Sequence, residues 1–363
     1  MTTDYSDLTI VRATRAQVEK AIIYTHETWG EGDELAPYRA HFEALTVDAS
    51  DSAWAGDRFA CWALVPRSEP GTLDFLASSF TWRRDALVLP PGGSTRRGTA
   101  YAIAAVYTRP ENRKKGYAKH MCRLLHYVFA DSAHLPLFPE AWGAPPETRF
   151  ADADFSVLFS GVGRDFYANC TIGTERPGWV AVPLVCRIWK VADAEVDLAG
   201  VEWVQRGGLA AVEEEMGRRI ARDLPATGDA SRTRVAVHPY ATLQFLAQFS
   251  GNTRADTTNA LFFPADAAGE RPFVSYVTSL PEANKPSRLV VTHVSHTALA
   301  RVPFAALLHV ARVEGMAEVE VWGDAGWDAE GTPRLDPDAH VPCIATYGID
   351  GAEWEFVEDY TWC

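Results

Sequence analysis

The stretch Val106-Tyr-Thr-Arg-Pro-Glu-Asn-Arg-Lys-Lys-Gly-Tyr-Ala118 decides how the first half of this chain is expected to fold. It overlaps the end of an uninterrupted apolar run, Tyr101–Thr108 (YAIAAVYT), which predicts a buried central strand. Pro110 then predicts a turn, and the apolar spacing after Gly116 predicts an amphipathic helix over Tyr117–Phe129. The stretch therefore predicts a strand, a basic turn and the first turn of a helix.

This predicted junction has the properties of an anion site. The amino-terminal end of a helix carries unpaired N–H groups and the positive end of the helix dipole. Gly116 allows an anion to approach the backbone closely, and Ala118 keeps the first helical turn slim. Between residues 109 and 119 there are five basic residues and one acidic residue, in a chain of net charge −14. This basic island predicts an anionic ligand, although solvated loops that begin a helix are often basic too.

The pattern Arg113-x-x-Gly116-x-Ala118 at this junction resembles the signature of the GNAT acetyltransferase superfamily. The resemblance implies a GNAT fold, an α/β (α+β) architecture in which a mixed, mostly antiparallel sheet is flanked by helices. It also implies acetyl-CoA as co-substrate, with its acetyl-pantetheine arm in contact with Val106 and Thr108. The residues that it implies for the pyrophosphate are Arg113, Lys114, Lys115, Gly116, Tyr117, Ala118 and Lys119.

A second match to the same superfamily lies downstream. Phe155–Ser160 (FSVLFS) predicts the next buried strand, and Ser160 at its end joins the predicted cofactor-binding set. Tyr167 falls where the family keeps a tyrosine that protonates the departing thiolate, a role that a positioned phenol can perform. The alternative is that Tyr167 is a core aromatic of a short helix. The family's usual Gly-Phe or Gly-Trp is absent after this helix, and Trp179 is the candidate to replace its packing.

A narrower resemblance concerns the acceptor. The segments His26–Gly30, Tyr38–Leu45, Ser78–Arg84 and Val157–Tyr167 follow the order found in fungal lysine N-acetyltransferase-like proteins, which are two-part chains. This resemblance implies acetylation of the side-chain amine of free lysine. An acceptor of another kind, a different small amine or a protein lysine, is the alternative.

An amine must be neutral to attack a thioester, so the reaction needs a proton acceptor or a water relay. The predicted strand Tyr101–Thr108 contains no carboxylate, and the candidates are Glu27, His26 and Asp74. Glu27 is equally a candidate for binding the cationic end of the substrate, and Trp29 for lining a slot for its aliphatic chain. For each of these residues, a surface or packing role is the alternative.

Composition limits the partners. The 363 residues suggest two domains, and the net charge of −14 argues against nucleic acid or an anionic membrane but suits a small cationic amine. No apolar run approaches the roughly 20 residues that span a bilayer, and the sequence MTTDYSDL does not have the pattern of a signal peptide. The six cysteines are scattered without zinc spacing, and His293 and His296 are expected on opposite faces of a strand. We therefore expect a cytoplasmic protein with reduced thiols and no metal.

We predict a GNAT domain over residues 1–195 and a second α+β domain over residues 196–363. The second domain either caps the acceptor site or is a degenerate GNAT-like unit, and no catalytic motif marks it. Two classes of function remain open for the whole chain: an N-acetyltransferase, and a module that binds acyl-CoA without catalysis. The oligomeric state is not predicted. The elements expected after residue 200 are Leu209–Leu224, Tyr240–Phe249 and Phe304–Val313 as helices, and Phe273–Ser279, Arg288–Val294, Glu318–Trp322 and Ile344–Ile349 as strands.

Overall fold

The computed structural model describes residues 4–30, 32–251, 257–279, 286–297, 299–327, 333–336 and 340–362. The helices and strands up to residue 190 are β1 (Leu8–Arg12), α1 (Arg15–Trp29), α2 (Leu35–Leu45), β2 (Phe59–Pro66), β3 (Ala77–Leu89), β4 (Arg96–Tyr107), α3 (Tyr117–Phe129), β5 (Phe155–Ser160), α4 (Asp165–Ala168), β6 (Val180–Ala181) and β7 (Cys186–Lys190). Those that follow are β8 (Glu202–Gln205), α5 (Leu209–Asp223), β9 (Arg234–Val237), α6 (Thr242–Phe249), β10 (Thr258–Phe262), β11 (Phe273–Ser279), β12 (Arg288–Ser295), α7 (Phe304–Val313), β13 (Glu318–Trp322), β14 (Arg334–Asp336), β15 (Val341–Thr346) and β16 (Glu353–Trp354).

The first sheet has the strand order β1-β2-β3-β4-β5-β15-β6. Its neighbouring strands are antiparallel, except that β4 and β5 are parallel and are connected through α3. Strand β9 pairs with the distal half of β3, and β16 pairs with β9. The mixed, mostly antiparallel sheet that the GNAT resemblance implied is therefore confirmed.

The second sheet has the order β8-β10-β11-β12-β13-β7-β14. Its neighbouring strands are likewise antiparallel, except for the parallel pair β12 and β13, which is connected through α7. Read from β1 and from β8, the two sheets thus have the same sequence of strand directions and the same helical crossover at the same place. The predicted second GNAT-like unit is present as an architecture.

The two units exchange strands. The sixth strand of the first sheet is β15, from near the end of the chain, and the sixth strand of the second sheet is β7, from before residue 195. Strand β9, from the second half, also joins the first sheet through Val235 and Val237. The predicted domain boundary at residue 195 stays a prediction, and the hydrogen-bonded strands cross it in both directions.

Helices fill both sides of the first sheet. Helix α3 packs on one face, where its Leu124, Leu125 and Phe129 are fully buried. Helices α1, α2, α5 and α6 share a second apolar cluster on the opposite face, which also takes Phe273 and Val277 from the second sheet. This shared core holds the two units together, and α7 covers the remaining face of the second sheet.

Local signals account for most element boundaries. Thr14 and Gln17 form a capping box at the start of α1, and the apolar spacing placed α3, β5 and α7 at their observed bounds. Strand β3 begins at Ala77, after a segment in which the carbonyls of Pro70 and Thr72 accept hydrogen bonds from the Gln17 amide. In the described residues, no helix is long and apolar enough to cross a membrane.

Candidate functional site

The two parallel strands of the first sheet separate before β4 ends. Pairing between β4 and β5 covers Ala100–Ile103 and stops there, although β4 continues to Tyr107. Immediately beyond, Ala105 has a left-handed φ of 51°, and the register between β3 and β4 shifts. Bulges of this kind end pairing and redirect side chains, and they are common beside active sites. The end of β4 therefore borders a gap in the sheet.

The helix that follows this gap begins at a glycine that its geometry requires. Gly116 has a φ of 79°, and α3 has no side-chain cap, so the N–H groups of its first turn are not capped by a side chain. A Cβ at this position would lie 2.2 Å from the Tyr5 hydroxyl, which donates a hydrogen bond to the Lys115 carbonyl at 3.0 Å. The glycine thus provides both the left-handed turn and the space for Tyr5. This arrangement fits the predicted pyrophosphate site.

The basic side chains of the loop are divided between two tasks. Arg109 is engaged in ion pairs with Asp74 and Glu111, so its charge is balanced within the protein. Lys114 and Lys115 are exposed, and a left-handed φ of 62° at Lys114 shapes the loop before the helix. Lys114 and Lys115 therefore add exposed positive charge beside this helix end.

Arg113 connects the loop to α1. Its Nε donates to the carbonyl of Thr108 at 3.1 Å, and its Nη2 donates to the Thr28 hydroxyl at 3.3 Å. Its guanidinium also lies 5.9 Å from the centre of the Tyr107 ring. The predicted cofactor loop is therefore tied to the end of the helix that carries the predicted acceptor residues.

Other predicted cofactor residues lie around the gap. Val106 and Tyr117 are partly buried and pack against the large apolar cluster that also contains Tyr167. The hydroxyl of Thr108 is buried without a hydrogen-bond partner among the described residues. A buried hydroxyl left unpaired costs free energy, so an orphan at this place fits a ligand that completes it. Ser160 instead uses its hydroxyl locally, donating to the Gly163 carbonyl at 2.6 Å.

Tyr167 is buried beside three cysteine thiols. The side chain lies on α4 and is 9% exposed. Burial raises the pKa of its phenol well above the usual value, and the nearby thiols of Cys122, Cys170 and Cys343 act in the same direction. The phenol therefore keeps its proton at neutral pH. Trp179 packs edge-on against Tyr167 at 6.4 Å, which is the packing position proposed for it from the sequence.

The predicted acceptor residues meet at a residue that sequence reasoning missed. The hydroxyl of Tyr107 donates to Glu27 Oε2 at 2.9 Å, and the ring of Trp29 lies 5.9 Å from the Tyr107 ring. Glu27 and Trp29 are both exposed at the end of α1. Burial raises the pKa of Tyr107, and the hydrogen-bonded carboxylate of Glu27 raises it further. The signal available in the sequence was a phenol near the end of the apolar run Tyr101–Thr108.

The other proton-acceptor candidates have structural roles. Nε2 of His26 is 2.9 Å from the Asp33 carbonyl, in the connection between α1 and α2. Asp74 is committed to its ion pair with Arg109. Of the three candidates, Glu27 is the one held against the end of β4.

The two histidines that were not expected to form a metal site are His293, on β12, and His296, just beyond its end. His293 bonds to Glu358 and packs near Tyr360, whereas His296 contacts the Ala325 carbonyl and Trp327. The two rings therefore lie in different environments, as expected from their opposite faces. Among the described residues, no three His, Cys, Asp or Glu side chains are grouped to hold a metal ion.

A cavity of about 280 Å³ opens elsewhere, at the start of β4. Among the described residues, its lining consists of Arg83, Asp85, Ala86, Leu87, Arg97, Gly98, Thr99 and His238. None of these is a predicted site residue. This cavity is therefore separate from the site predicted at the junction of β4 and α3.

Comparison with known proteins identifies the fold. No protein-family model and no curated protein matches the sequence. Among solved structures, the chain is similar to a GCN5-related N-acetyltransferase from Kribbella flavida, with a TM-score of 0.54 and 15% identity over 94% of this chain and 71% of that one. It is also similar to a probable N-acyltransferase from Enterococcus faecalis, with a TM-score of 0.53 and 11% identity over 94% and 73% of the two chains.

A third similar structure supports the same conclusion. A GCN5-related N-acetyltransferase from Anabaena variabilis gives a TM-score of 0.52 at 9% identity, over 93% of this chain and 72% of that one. Because these structures align with nearly the whole chain, both units have counterparts in them. The chain therefore has the fold of GCN5-related N-acetyltransferases.

Proposed function

We propose that this protein is an acetyl-CoA-dependent N-acetyltransferase acting on a small primary amine. The observation that carries the proposal is the junction of β4 and α3. There the strand leaves its partner after Ile103, and the next helix begins, without a side-chain cap, at the left-handed Gly116. A pantetheine arm at the gap and a pyrophosphate at the helix end would use both features together. The similar structures support the proposal through the fold that they share with this chain.

The chain supplies two chemical aids for acetyl transfer. A backbone N–H at the end of β4 is proposed to stabilise the oxyanion that forms when the amine attacks the thioester carbonyl. Tyr167, whose phenol stays protonated at neutral pH, is proposed to give its proton to the departing thiolate. The proposal requires that one bound thioester reaches both groups, and its support is that Val106 at the end of β4 packs against the apolar cluster to which Tyr167 belongs.

For the acceptor we propose the side-chain amine of free lysine. The support is the order of the segments that resemble fungal lysine N-acetyltransferase-like proteins, together with the net charge of −14, which attracts cations. The exposed carboxylate of Glu27 and the exposed ring of Trp29 suit a cationic group on an aliphatic chain. Ornithine, polyamines and the lysine of a protein are the competing acceptors.

A second candidate is a module that binds acyl-CoA without catalysis. It is favoured by the absence of a carboxylate from Tyr101–Thr108 and by the deep burial of Tyr167. This candidate predicts coenzyme A binding without any amine-dependent release of thiol.

A thiol-release assay with acetyl-CoA separates these possibilities. The amines to compare are lysine, ornithine, other amino acids, polyamines, aminoglycosides and a lysine-bearing peptide. Release with free lysine alone supports the full proposal, and release with another amine retains the acetyltransferase but removes lysine. Calorimetric binding of coenzyme A without release for any amine would favour the non-catalytic module.

A further inference from the structure

The two faces of the first sheet present different tyrosines at the end of β4. Val106 packs against the apolar cluster formed with α3, to which Tyr167 also belongs, whereas its neighbour Tyr107 belongs to the cluster formed with α1 on the opposite face. Successive residues of a strand point to opposite faces, so the part of β4 beyond Ile103 lies between the cluster that contains Tyr167 and the cluster that contains Tyr107. On the proposed function, Tyr167 donates a proton on the α3 side. The α1 side is then where the amine arrives and where its protons must leave.

Tyr107 has the contacts of a proton relay. Its ring is buried, but its hydroxyl donates to the exposed carboxylate of Glu27 at 2.9 Å. A phenol in this arrangement still has oxygen lone pairs that accept a proton from an amine while its own proton passes to the carboxylate. The burial that raises the pKa of Tyr107 keeps this phenol protonated between turnovers.

The surrounding charges favour this assignment. Glu27 faces the Tyr107 hydroxyl from α1, and Arg113 faces the Tyr107 ring from the cofactor loop. The next group of charges, Arg109 with Asp74 and Glu111, is paired within itself. Arg113 also bonds to Thr28, so the residue that follows Glu27 is anchored to the loop proposed to bind coenzyme A.

We propose that Tyr107 and Glu27 together accept the protons of the attacking amine, with Tyr107 in contact with the amine and Glu27 as the final acceptor. This inference rests on the proposed acetyltransferase function and adds the group that the sequence left unassigned. Tyr107 would be the catalytic residue that touches substrate, and Arg113 a positioning residue.

The protons and electrons balance as follows. An ammonium acceptor passes one proton through Tyr107 to Glu27 and on to solvent, which frees its nitrogen lone pair. That lone pair forms the C–N bond, the C–S bond breaks, and its electron pair stays on sulfur, which takes the proton of Tyr167. The second nitrogen proton leaves by the Tyr107–Glu27 route, and Tyr167 regains a proton from solvent. One proton is released for each acetyl group transferred.

The test compares Tyr107→Phe and Glu27→Gln with two matched controls. Tyr24→Phe removes a phenol from α1, about one helical turn before Glu27. The hydroxyl of Tyr24 donates to the Leu73 carbonyl at 3.3 Å. Glu19→Gln removes a carboxylate from the same helix that pairs with Arg15. The measurements are kcat between pH 6.5 and 9.5 with the best amine, and the affinity for coenzyme A by calorimetry.

At pH 7 we expect each test variant to lower kcat by about 100-fold, the low end for a lost general base, with the affinity for coenzyme A unchanged. The loss in kcat should shrink at least tenfold by pH 9, because a much larger fraction of the amine is then neutral without a proton acceptor on the protein. The controls should stay within about twofold of the wild type at every pH.

Three results would overturn the proposal. A loss of equal size at all pH values would assign Tyr107 and Glu27 a structural role, and a loss no larger than that of the controls would remove them from the reaction. Wild-type protein that binds coenzyme A but acetylates no amine would overturn the proposed function itself. That failure is seen in the wild type alone, so it is distinguishable from failure of the relay.

Discussion

The two units of this protein share their strand order but differ at one junction. In the first unit, β4 leads into α3 through Thr108–Gly116, which is glycine-terminated and basic. In the second, β12 leads into α7 through residues 296–303, where Pro303 precedes the helix and the sequence HTALARVP contains no glycine. Both units shift register in the strand pair before the crossover, so the bulge is shared and the start of the helix is not.

The second junction is occupied by the protein's own side chains. Nε1 of Trp327 donates to the Val302 carbonyl at 2.9 Å, and Nδ1 of His296 accepts from the Val302 N–H at 3.0 Å. Phe304, the first residue of α7, packs between the rings of Trp189 and Trp327. The same topology thus serves as a candidate ligand site in one unit and as packed core in the other. Function follows the chemistry of the junction and not the fold alone.

Of the changes considered, replacing Gly116 should reduce the difference between the two junctions most. Gly116→Val would place a β-branched residue at a φ of 79° and against the Tyr5 hydroxyl. Backbone strain of this kind costs about 1–3 kcal/mol, and the collision adds to it. We expect the affinity for coenzyme A to fall by about 100-fold or more, measured by calorimetry.

A second substitution tests whether Tyr5 is part of that cost. Tyr5→Phe in the Gly116→Val background removes the colliding hydroxyl and should restore part of the lost affinity, whereas φ strain should remain. Arg301→Ala, in the second junction, is the control and should leave binding unchanged. Equal affinities for wild type and Gly116→Val would remove this helix end as the pyrophosphate site.

Removing the hydroxyl of Tyr167 tests catalysis without changing the predicted pyrophosphate site. Tyr167→Phe should lower kcat by about tenfold or more, at or below the low end for a lost general acid, with the affinity for coenzyme A nearly unchanged. Tyr276→Phe is the matched control, because this buried tyrosine lies on β11 of the second unit and bonds to Thr258. Unchanged turnover in Tyr167→Phe would leave that residue as a packing aromatic.

Local patterns predicted the elements better than their assembly. The bounds of α3, β5, α7 and β13 follow from apolar spacing and from breakers such as Gly116, which act over a few residues. The exchange of β7 and β15 between the sheets could not be foreseen, because pairing partners are chosen over distances such as that between Val341 and Ser160. The strand predicted at Ile344–Ile349 is observed at Val341–Thr346, because the apolar run begins before Ile344 and the observed strand includes its first residues.

The candidate site shows the same division. The composition of the loop from Arg113 to Lys119 predicted an anion site from the sequence alone, because glycine and cations at the start of a helix act within a few residues. Tyr5 escaped notice because it reaches the loop from 110 residues away in the chain. Tyr107 was taken as part of an apolar strand, and only its contact with Glu27 distinguishes it from a core aromatic.

A buried carboxyl group beside the second sheet predicts a pH effect on stability. Asp359 is 6% exposed, and burial raises its pKa well above the usual value, with Glu320 and Glu358 acting in the same direction. The folded state therefore holds a proton that the unfolded state loses from about pH 4 upward. The stabilising effect is complete below that pH and is lost as the pH rises toward the folded pKa.

Asp359→Asn isolates this contribution from the other carboxyl groups. Relative to the wild type, the variant should gain up to about 1.4 kcal/mol of unfolding free energy for each pH unit above 4, until the folded pKa is reached. Urea unfolding at several pH values measures the difference. A constant difference between the two proteins from pH 4 to 7 would contradict a raised pKa at Asp359.

The smallest expected effect concerns the unpaired hydroxyl at the first junction. Thr108→Val replaces the hydroxyl with a methyl group of similar size and removes a buried donor that has no partner among the described residues. If that hydroxyl serves a ligand, the free protein should gain about 1 kcal/mol of stability, while the affinity for acetyl-CoA falls several-fold. Thermal unfolding with and without acetyl-CoA measures both changes in one experiment. A gain in the stability of the free protein together with a loss of affinity for acetyl-CoA would show that the first junction is kept open at a cost in stability. A loss of stability both with and without acetyl-CoA would make Thr108 a packing residue, like those that close the second junction.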